Sequence, residues 1–170
     1  MMRATPILAA LPVALMGVML WLSATILTPH AGSLAAFDTR VLGYTLADAQ
    51  AYLTALDDTG RAVYLVELRV LDTLFPITFA LLLGHLTLGA AHWMHPWSRM
   101  ILVLPAAAYA LMDLCENALV AGLIRAGADG VNADMVNLAS EFTITKWVLV
   151  LISVALLGVL WLLRRKPQQA

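Results

Sequence analysis

The stretch TITKWVLVLISVALLGVLWLL, residues 143–163, decides the fold class, because its 21 residues carry a single charge, Lys146. About 20 consecutive apolar residues in a helix cross the ~30 Å hydrocarbon core of a bilayer. Three further stretches have the same character, so the sequence predicts an all-α membrane protein of four antiparallel transmembrane helices. The four predicted spans of this single domain, 1–170, are residues 7–27, 62–91, 100–124 and 143–163.

The composition of the 170 residues agrees with this class. Hydrophobic residues make up 62% of the chain and charged residues 12%, whereas a soluble domain carries about 25% charged residues. The net charge of −1 gives no reason to expect nucleic-acid binding. Cys115 is the single cysteine, which excludes an intrachain disulfide and a multi-cysteine metal site. The apolar stretch 7–27 exceeds the 7–15 residues of a signal-peptide core, so we expect an uncleaved anchor helix.

The basic residues predict the orientation of the four spans. Cytoplasmic loops carry an excess of Lys and Arg, and Arg3, Arg99 and the basic residues 164–166 all fall on one side of a four-span arrangement. We therefore expect a multi-pass protein of the bacterial inner (cytoplasmic) membrane with both termini in the cytoplasm. Its expected partners are the lipid bilayer and other membrane subunits or further copies of the chain.

The first outer loop, residues 28–61, contains the signal for one short helix. Thr45 and Asp48 have the spacing of a capping box, with Asp in place of the usual Glu or Gln. Apolar residues then repeat at helical spacing: Leu46, Ala49, Leu53 and Leu56. We predict an amphipathic helix over about residues 46–58, stopped by Gly60, that lies on the outer membrane surface or caps the bundle.

Four ionisable residues lie inside stretches that otherwise resemble lipid-spanning helix: Asp72, Asp113, Glu116 and Lys146. A charge at membrane depth costs several kcal/mol, so each is a hypothesis about a functional site. At 1.5 Å per residue, all four lie about 20–28 Å from the cytoplasmic ends of their helices. The sequence therefore predicts one polar layer near the outer face. Its polar partners on the same helix faces are Tyr64, Arg69, Tyr109, Asn117 and Thr143.

The charges in this layer do not balance, because three carboxylates face one lysine. Two carboxylates in a dry site cannot both stay ionised cheaply, so one should take up a proton or a cation should be present. Asp72, Asp113 and Glu116 are thus candidates for a catalytic acid–base pair, for a proton relay, or for the oxygen ligands of a hard cation. The structural alternative is a clamp between helices, in which Lys146 pairs with one carboxylate and neighbouring polar groups satisfy the rest.

Other chemistry has weaker support. His92 and His95 have a spacing that could bind zinc, but a Trp-rich turn at a membrane interface explains them better. His85 lies about 20 Å from Asp72 along the same helix and is expected to pack through a hydrogen bond. The sequence shows no phosphate-binding glycine loop, no nucleophile elbow and no paired haem histidines, so no cofactor is expected.

Five short motifs carry a resemblance to a family of small bacterial four-helix integral membrane proteins. They are Gly43-Tyr44, Gly60-Arg61 with Tyr64, Asp72 followed by Phe75-Pro76, Asp113-x-x-Glu116-Asn117, and Thr143-x-x-Lys146-Trp147. The resemblance implies a four-helix membrane protein with this polar layer, and it implies no activity.

Lipoprotein signal peptidases are similar in size, number of spans and orientation. The segment Asn137-Leu138-Ala139-Ser140 looks like their Asn-x-Ala-Asp segment. Ser140 stands where their catalytic aspartate would be, so the likeness does not extend to the chemistry.

Three functions are consistent with the sequence. We favour a non-enzymatic scaffold or accessory component that is held together by the polar layer and docks through apolar faces. The first alternative is a membrane-embedded enzyme whose paired carboxylates act on a lipid-borne substrate reached from the outer leaflet. The second is proton or cation binding, with or without transport.

Overall fold

The computed structural model describes residues 5–164, and these residues form helices and connecting turns without strands. The six α-helices are α1 (Thr5–Leu22), α2 (Leu46–Ala55), α3 (Asp58–Val63), α4 (Arg69–Ala90), α5 (Pro96–Gly130) and α6 (Ala133–Arg164). Two π-helical segments continue these helices: Ser23–Leu27 extends α1, and Tyr64–Leu68 joins α3 to α4. Two short 3-10 helices, Pro29–Ala31 and Phe37–Thr39, lie between α1 and α2. Arg3 and the basic residues 165–166, which entered the orientation argument, lie outside the described residues.

Four continuous helical stretches are long and apolar enough to cross a membrane. They are Thr5–Leu27, Asp58–Ala90, Pro96–Gly130 and Ala133–Leu163. Helices α4, α5 and α6 pack closely against one another, whereas α1 packs mainly on α4 and has little contact with α5 or α6. The arrangement is therefore a three-helix core with a fourth helix attached along one side.

The third and fourth long helices extend further than predicted. The predicted spans 100–124 and 143–163 left residues 125–141 between them as a loop, but α5 continues to Gly130 and α6 begins at Ala133. A break at Gly127 (φ 70°, ψ 177°) redirects the end of α5, and the side chain of Asn132 accepts a 3.0 Å hydrogen bond from the Met135 amide at the start of α6. The charged and amide side chains of this region are exposed, while Val136, Ala139 and Ser140 are buried.

The short helix α2 begins as predicted and ends earlier. The capping box is confirmed, since the Asp48 amide donates to Thr45 Oγ1 (3.2 Å) and the Thr45 amide donates to Asp48 Oδ2 (2.8 Å). The helix ends at Ala55, and Asp57 then caps α3 by accepting a 2.9 Å hydrogen bond from the Gly60 amide. Gly60 thus lies inside α3 and does not stop α2, which corrects the predicted boundary at 58.

The largest cluster of buried apolar side chains lies at this end of the molecule, where α2 packs on α5 and α6. Of the two predicted positions for the short helix, the structure therefore has the one that caps the bundle. Rings of the segment 28–57 form the centre of the cluster, with ring centroids of Phe37 and Tyr52 4.8 Å apart. The Arg40 guanidinium lies 5.7 Å from the centroid of each of these two rings. We call residues 28–57 the outer cap.

Candidate functional site

Four of the predicted polar residues form a buried network between α5 and α6, which we call the clamp: Asp113, Glu116, Thr143 and Lys146. The Lys146 Nζ atom lies 2.7 Å from Asp113 Oδ1 and 2.5 Å from Glu116 Oε2. Thr143 Oγ1 donates a 2.5 Å hydrogen bond to Glu116 Oε1. Each helix contributes two side chains three residues apart, the spacing that places them on one face.

The clamp leaves little of its charge accessible. Glu116 is fully buried and Lys146 is only 7% exposed. The second oxygen of Asp113, Oδ2, accepts a 3.3 Å hydrogen bond from the Tyr109 hydroxyl one turn earlier on α5. Each carboxylate oxygen therefore has a partner, although Glu116 Oε2 meets Lys146 Nζ as an ion pair without the geometry of a hydrogen bond. The arrangement has the form of a closed, buried ion network.

Asn117, the next residue of the Asp-x-x-Glu-Asn motif, joins α5 to α4 through the backbone. Pro76 has no amide hydrogen, so it cannot donate the helical bond to the carbonyl of Asp72 four residues earlier. The Asn117 Nδ2 atom donates to that carbonyl instead, at 2.6 Å. In return, the guanidinium of Arg69 on α4 donates to the carbonyl of Asn117. Asn117 thus replaces the hydrogen bond that Pro76 cannot make to the Asp72 carbonyl.

The carboxylate of Asp72 does not join the clamp. Within residues 5–164 it has no hydrogen bond or ion pair, and it faces a cavity of about 490 Å³. The cavity is lined largely by apolar side chains of α1, α4 and α6. Four charged residues mark its polar end: Asp38, Asp72, Asp113 and Lys146.

The cavity opens sideways, between α1 and α6. Val13 and Leu20 of α1 line it and yet expose 68% and 60% of their surface. On the opposite side, Trp147 and Val150 of α6 line it as well. Since α1 and α6 have little contact with each other, the gap between them forms the mouth.

Asp38 is a residue of this site that the sequence did not reveal. The outer cap folds back so that Asp38 Oδ1 accepts a 3.1 Å hydrogen bond from the Tyr64 hydroxyl. The Trp147 indole donates to the Asp38 carbonyl at 3.2 Å. Neighbouring Phe37 is fully buried and anchors the turn. An aspartate in a polar segment between two spans gives no sequence signal that its side chain returns to the interior.

The attachment of the cap to α6 depends on Gly43. Its φ of +83° lies in the left-handed region, and a Cβ atom there would come within 2.5 Å of Ser140 Oγ. The next residue, Tyr44, donates from its amide to the same oxygen at 2.8 Å. Burial raises the pKa of the Tyr44 hydroxyl, so this ring stays neutral inside the cap.

A second attachment uses Arg61, at the start of the second long helix. Its guanidinium donates to the carbonyls of Leu53 (3.0 Å) and Leu56 (3.2 Å) at the end of α2. It also donates to the carbonyl of Ile124 on α5, at 3.4 Å. One cation thus satisfies three carbonyls near helix ends and joins the cap to the bundle.

The structure separates the remaining predicted residues by role. Tyr109 supports the clamp, Tyr64 binds Asp38, and Arg69 binds a backbone carbonyl. Among the described residues, no three His, Cys, Asp or Glu side chains come close enough together to hold a metal ion. Asp72, Asp113 and Glu116 accordingly do not form such a group of three ligands.

The histidines have structural partners. His85 lies 3.2 Å from Thr5 Oγ1, which joins α4 to α1 as expected for a packed histidine. His95 Nδ1 accepts a 3.4 Å hydrogen bond from the Trp97 amide and caps α5, and His92 Nδ1 lies 3.2 Å from the Gly89 carbonyl. These contacts favour the interpretation of the Trp-rich turn as a structural turn.

Comparison with models of protein families, with curated proteins and with solved structures gives no significant match. The resemblance to small four-helix membrane proteins stays a prediction. Functional inference therefore depends on the geometry of the clamp and the cavity.

Proposed function

We propose that this chain is a multi-pass protein of the inner membrane whose role is non-enzymatic, as a scaffold or accessory component. In this proposal the four long helices are antiparallel and both termini are cytoplasmic. The observation that carries it is the clamp, because Lys146 is enclosed between two carboxylates whose remaining oxygens are also bonded.

The bonding of the clamp supports a structural role. A general acid or base must be within hydrogen-bond reach of the proton that it transfers on the substrate. Glu116 is fully buried, and both of its oxygens are within 2.5 Å of a partner from α6. A buried network of this kind fixes which helix faces meet, and hydrogen bonds between helices are a common means of association in membranes.

The apolar outer surface of the bundle supports membrane insertion. Leu151, Val154 and Leu162 of α6 expose 68%, 50% and 61% of their surface. Monomeric soluble proteins seldom expose contiguous apolar patches of more than a few hundred Å². Lipid chains would cover such a helix, and the excess of basic residues on one side supports cytoplasmic termini.

The test compares Asp113→Asn with Glu141→Gln, an exposed carboxylate on α6 that serves as the matched control. We expect Asp113→Asn to lower both the melting temperature and the yield of monodisperse protein after detergent extraction. Any cellular phenotype should then fall only in proportion to the amount of folded protein. Wild-type stability combined with complete loss of the phenotype would contradict the structural role.

The free carboxylate of Asp72 at the cavity favours one second candidate, an enzyme acting on a lipid-borne substrate. Such an enzyme would use Asp72, with Asp113 at the same polar end, and not the enclosed Glu116. It predicts that Asp72→Asn retains the wild-type melting temperature while it abolishes the phenotype of the gene. The scaffold proposal predicts that the same variant keeps that phenotype.

A further inference from the structure

The cavity has the dimensions and lining of a site for one hydrocarbon chain. Its volume of about 490 Å³ lies within the ~300–1,000 Å³ range of small-molecule sites. Along α4 its lining runs from Asp72 through Phe75 and Phe79 to Leu82. Ten residues of helix span about 15 Å, so the cavity is a channel with a polar outer end and an apolar inner end.

The position of the mouth determines the route by which a ligand would enter the cavity. It opens between α1 and α6, both of which present exposed apolar side chains around it, among them Leu20 and Trp147. In a bilayer this opening faces lipid chains and not water. A ligand would therefore enter from within the membrane, with its apolar chain between α1 and α6.

The polar end of the cavity has more negative than positive charge. Four carboxylates lie at this end: Asp38, Asp72, Asp113 and Glu116. The lysine there is shared between the last two. Arg69 lies on the α5 side of Asp72, where it binds the Asn117 carbonyl. Two positive charges against four carboxylates leave Asp38 and Asp72 without a charged partner of their own among the described residues.

Two aromatic side chains line the same end. Tyr64 and Trp147 both border the cavity, and each also holds Asp38 through a hydrogen bond. Aromatic faces attract organic cations, and carboxylates form charge-assisted hydrogen bonds with ammonium groups. An anionic headgroup would be repelled at this position, and with a neutral headgroup the two carboxylates would lack a cationic partner unless one of them took up a proton.

We propose that the cavity binds a single-chain amphiphile with a positively charged amine headgroup, with the amine against Asp38 and Asp72 and the chain between α1 and α6. This inference goes beyond the scaffold role and does not depend on it. The clamp would hold the bundle whether or not the cavity is filled.

The experiment uses the full chain, purified in a neutral maltoside detergent at pH 7.5. Three probes of equal chain length are compared: hexadecylamine, hexadecanol and palmitate. Titration of the melting temperature with each probe gives its Kd. Hydrogen bonds to charged groups are worth enough to change Kd by about tenfold or more. We therefore expect the amine to bind at least about tenfold more tightly than the alcohol, and palmitate to bind most weakly.

Two variants locate the headgroup. In Asp72→Asn the preference for hexadecylamine over hexadecanol should fall several-fold, whereas Glu67→Gln, which changes an exposed carboxylate five residues earlier on the same long helix, should keep the wild-type preference. Asp38→Asn tests the second carboxylate at this end of the cavity. This variant should also show a reduced preference for the amine. An unchanged preference for the amine in both aspartate variants would overturn the proposal.

A third variant locates the chain. Met16→Trp places a bulky side chain in the apolar part of the cavity and should weaken the amine and the alcohol by the same factor. Equal binding of the three probes by the wild type would show an apolar cavity without headgroup selectivity. A shift to a dimer, lost in Met16→Trp, would show that a second copy fills the opening. Either result would overturn the proposal.

Discussion

The clamp and the cavity lie side by side in the bundle, but their carboxylates differ in whether they have bonding partners. In the clamp every carboxylate oxygen has a partner within 3.3 Å. At the cavity, Asp72 has its backbone carbonyl bonded to Asn117 while its side chain is left without a partner among residues 5–164. A closed network of this kind is suited to fixing the helices, whereas an open carboxylate is suited to recognising a ligand.

The largest effect is expected from removing the cation of the clamp. Lys146→Met would leave Asp113 and Glu116 facing each other without their counterion. Breaking a buried ion pair from one side costs about 3–5 kcal/mol, so we expect a large loss of melting temperature in detergent. The triple variant Lys146→Met, Asp113→Asn, Glu116→Gln removes the stranded charges and should recover much of the loss. If Lys146→Met alone were as stable as the wild type, the clamp would not be what holds α5 to α6.

The next effect tests how the outer cap holds Asp38 at the cavity. Gly43→Ala would force an alanine to a φ of +83° and place its Cβ against Ser140. Backbone strain of this kind costs about 1–3 kcal/mol, and the contact with Ser140 adds to it. Thermal unfolding and hydrogen exchange over residues 37–44 would measure the change.

The matched control for this substitution is Gly17→Ala. Gly17 lies within α1 with no atom near its missing side chain, so alanine should stabilise that helix slightly. Equal changes in melting temperature for the two alanine variants would show that the close contact of Gly43 with Ser140 on α6 does not stabilise the protein.

A smaller effect is expected at the junction of α4 and α5. Asn117→Leu removes the donor to the Asp72 carbonyl, and a buried carbonyl without a partner costs about 1–3 kcal/mol. Pro76→Ala would restore an amide that can donate to the same carbonyl. The loss caused by Asn117→Leu should therefore be smaller in the Pro76→Ala background, as a double-mutant cycle of melting curves would show. Strict additivity would mean that Asn117 does not compensate for Pro76.

The sequence predicted that the four ionisable residues lie near one another along the bundle, and it did not predict their division into two sites. Charges stand out in apolar stretches, and a fixed rise per residue puts Asp72, Asp113, Glu116 and Lys146 at similar levels. The direction in which each faces depends on helix rotation and on where α1 packs. An error of a few residues in the predicted helix boundaries, as for α5 and α6, prevents the sequence from showing which residues face the clamp and which face the cavity.

The outer cap shows a second limit of prediction from sequence. The capping box at Thr45 was recognisable because its partners are three residues apart. The contacts of Asp38 with Tyr64 and Trp147 join residues 26 and 109 positions apart, and no local pattern marks them. The helical character of residues 125–141 was missed because polar residues on an exposed helix face resemble those of a loop.

The smallest expected effect on stability, at Asp72, distinguishes the two sites most directly. Asp72→Asn keeps the shape of the side chain and removes a charge that has no partner among the described residues, so the free energy of unfolding should change by less than about 1 kcal/mol and can rise. Asp113→Asn, which changes a residue at the same end of the cavity, should be clearly destabilising because it removes the buried charge-assisted hydrogen bond that Lys146 donates to Asp113. Melting curves of both variants in the same detergent make the comparison. Equal destabilisation would mean that Asp72 is bound into the clamp after all, and the division between a closed network and an open cavity would fail.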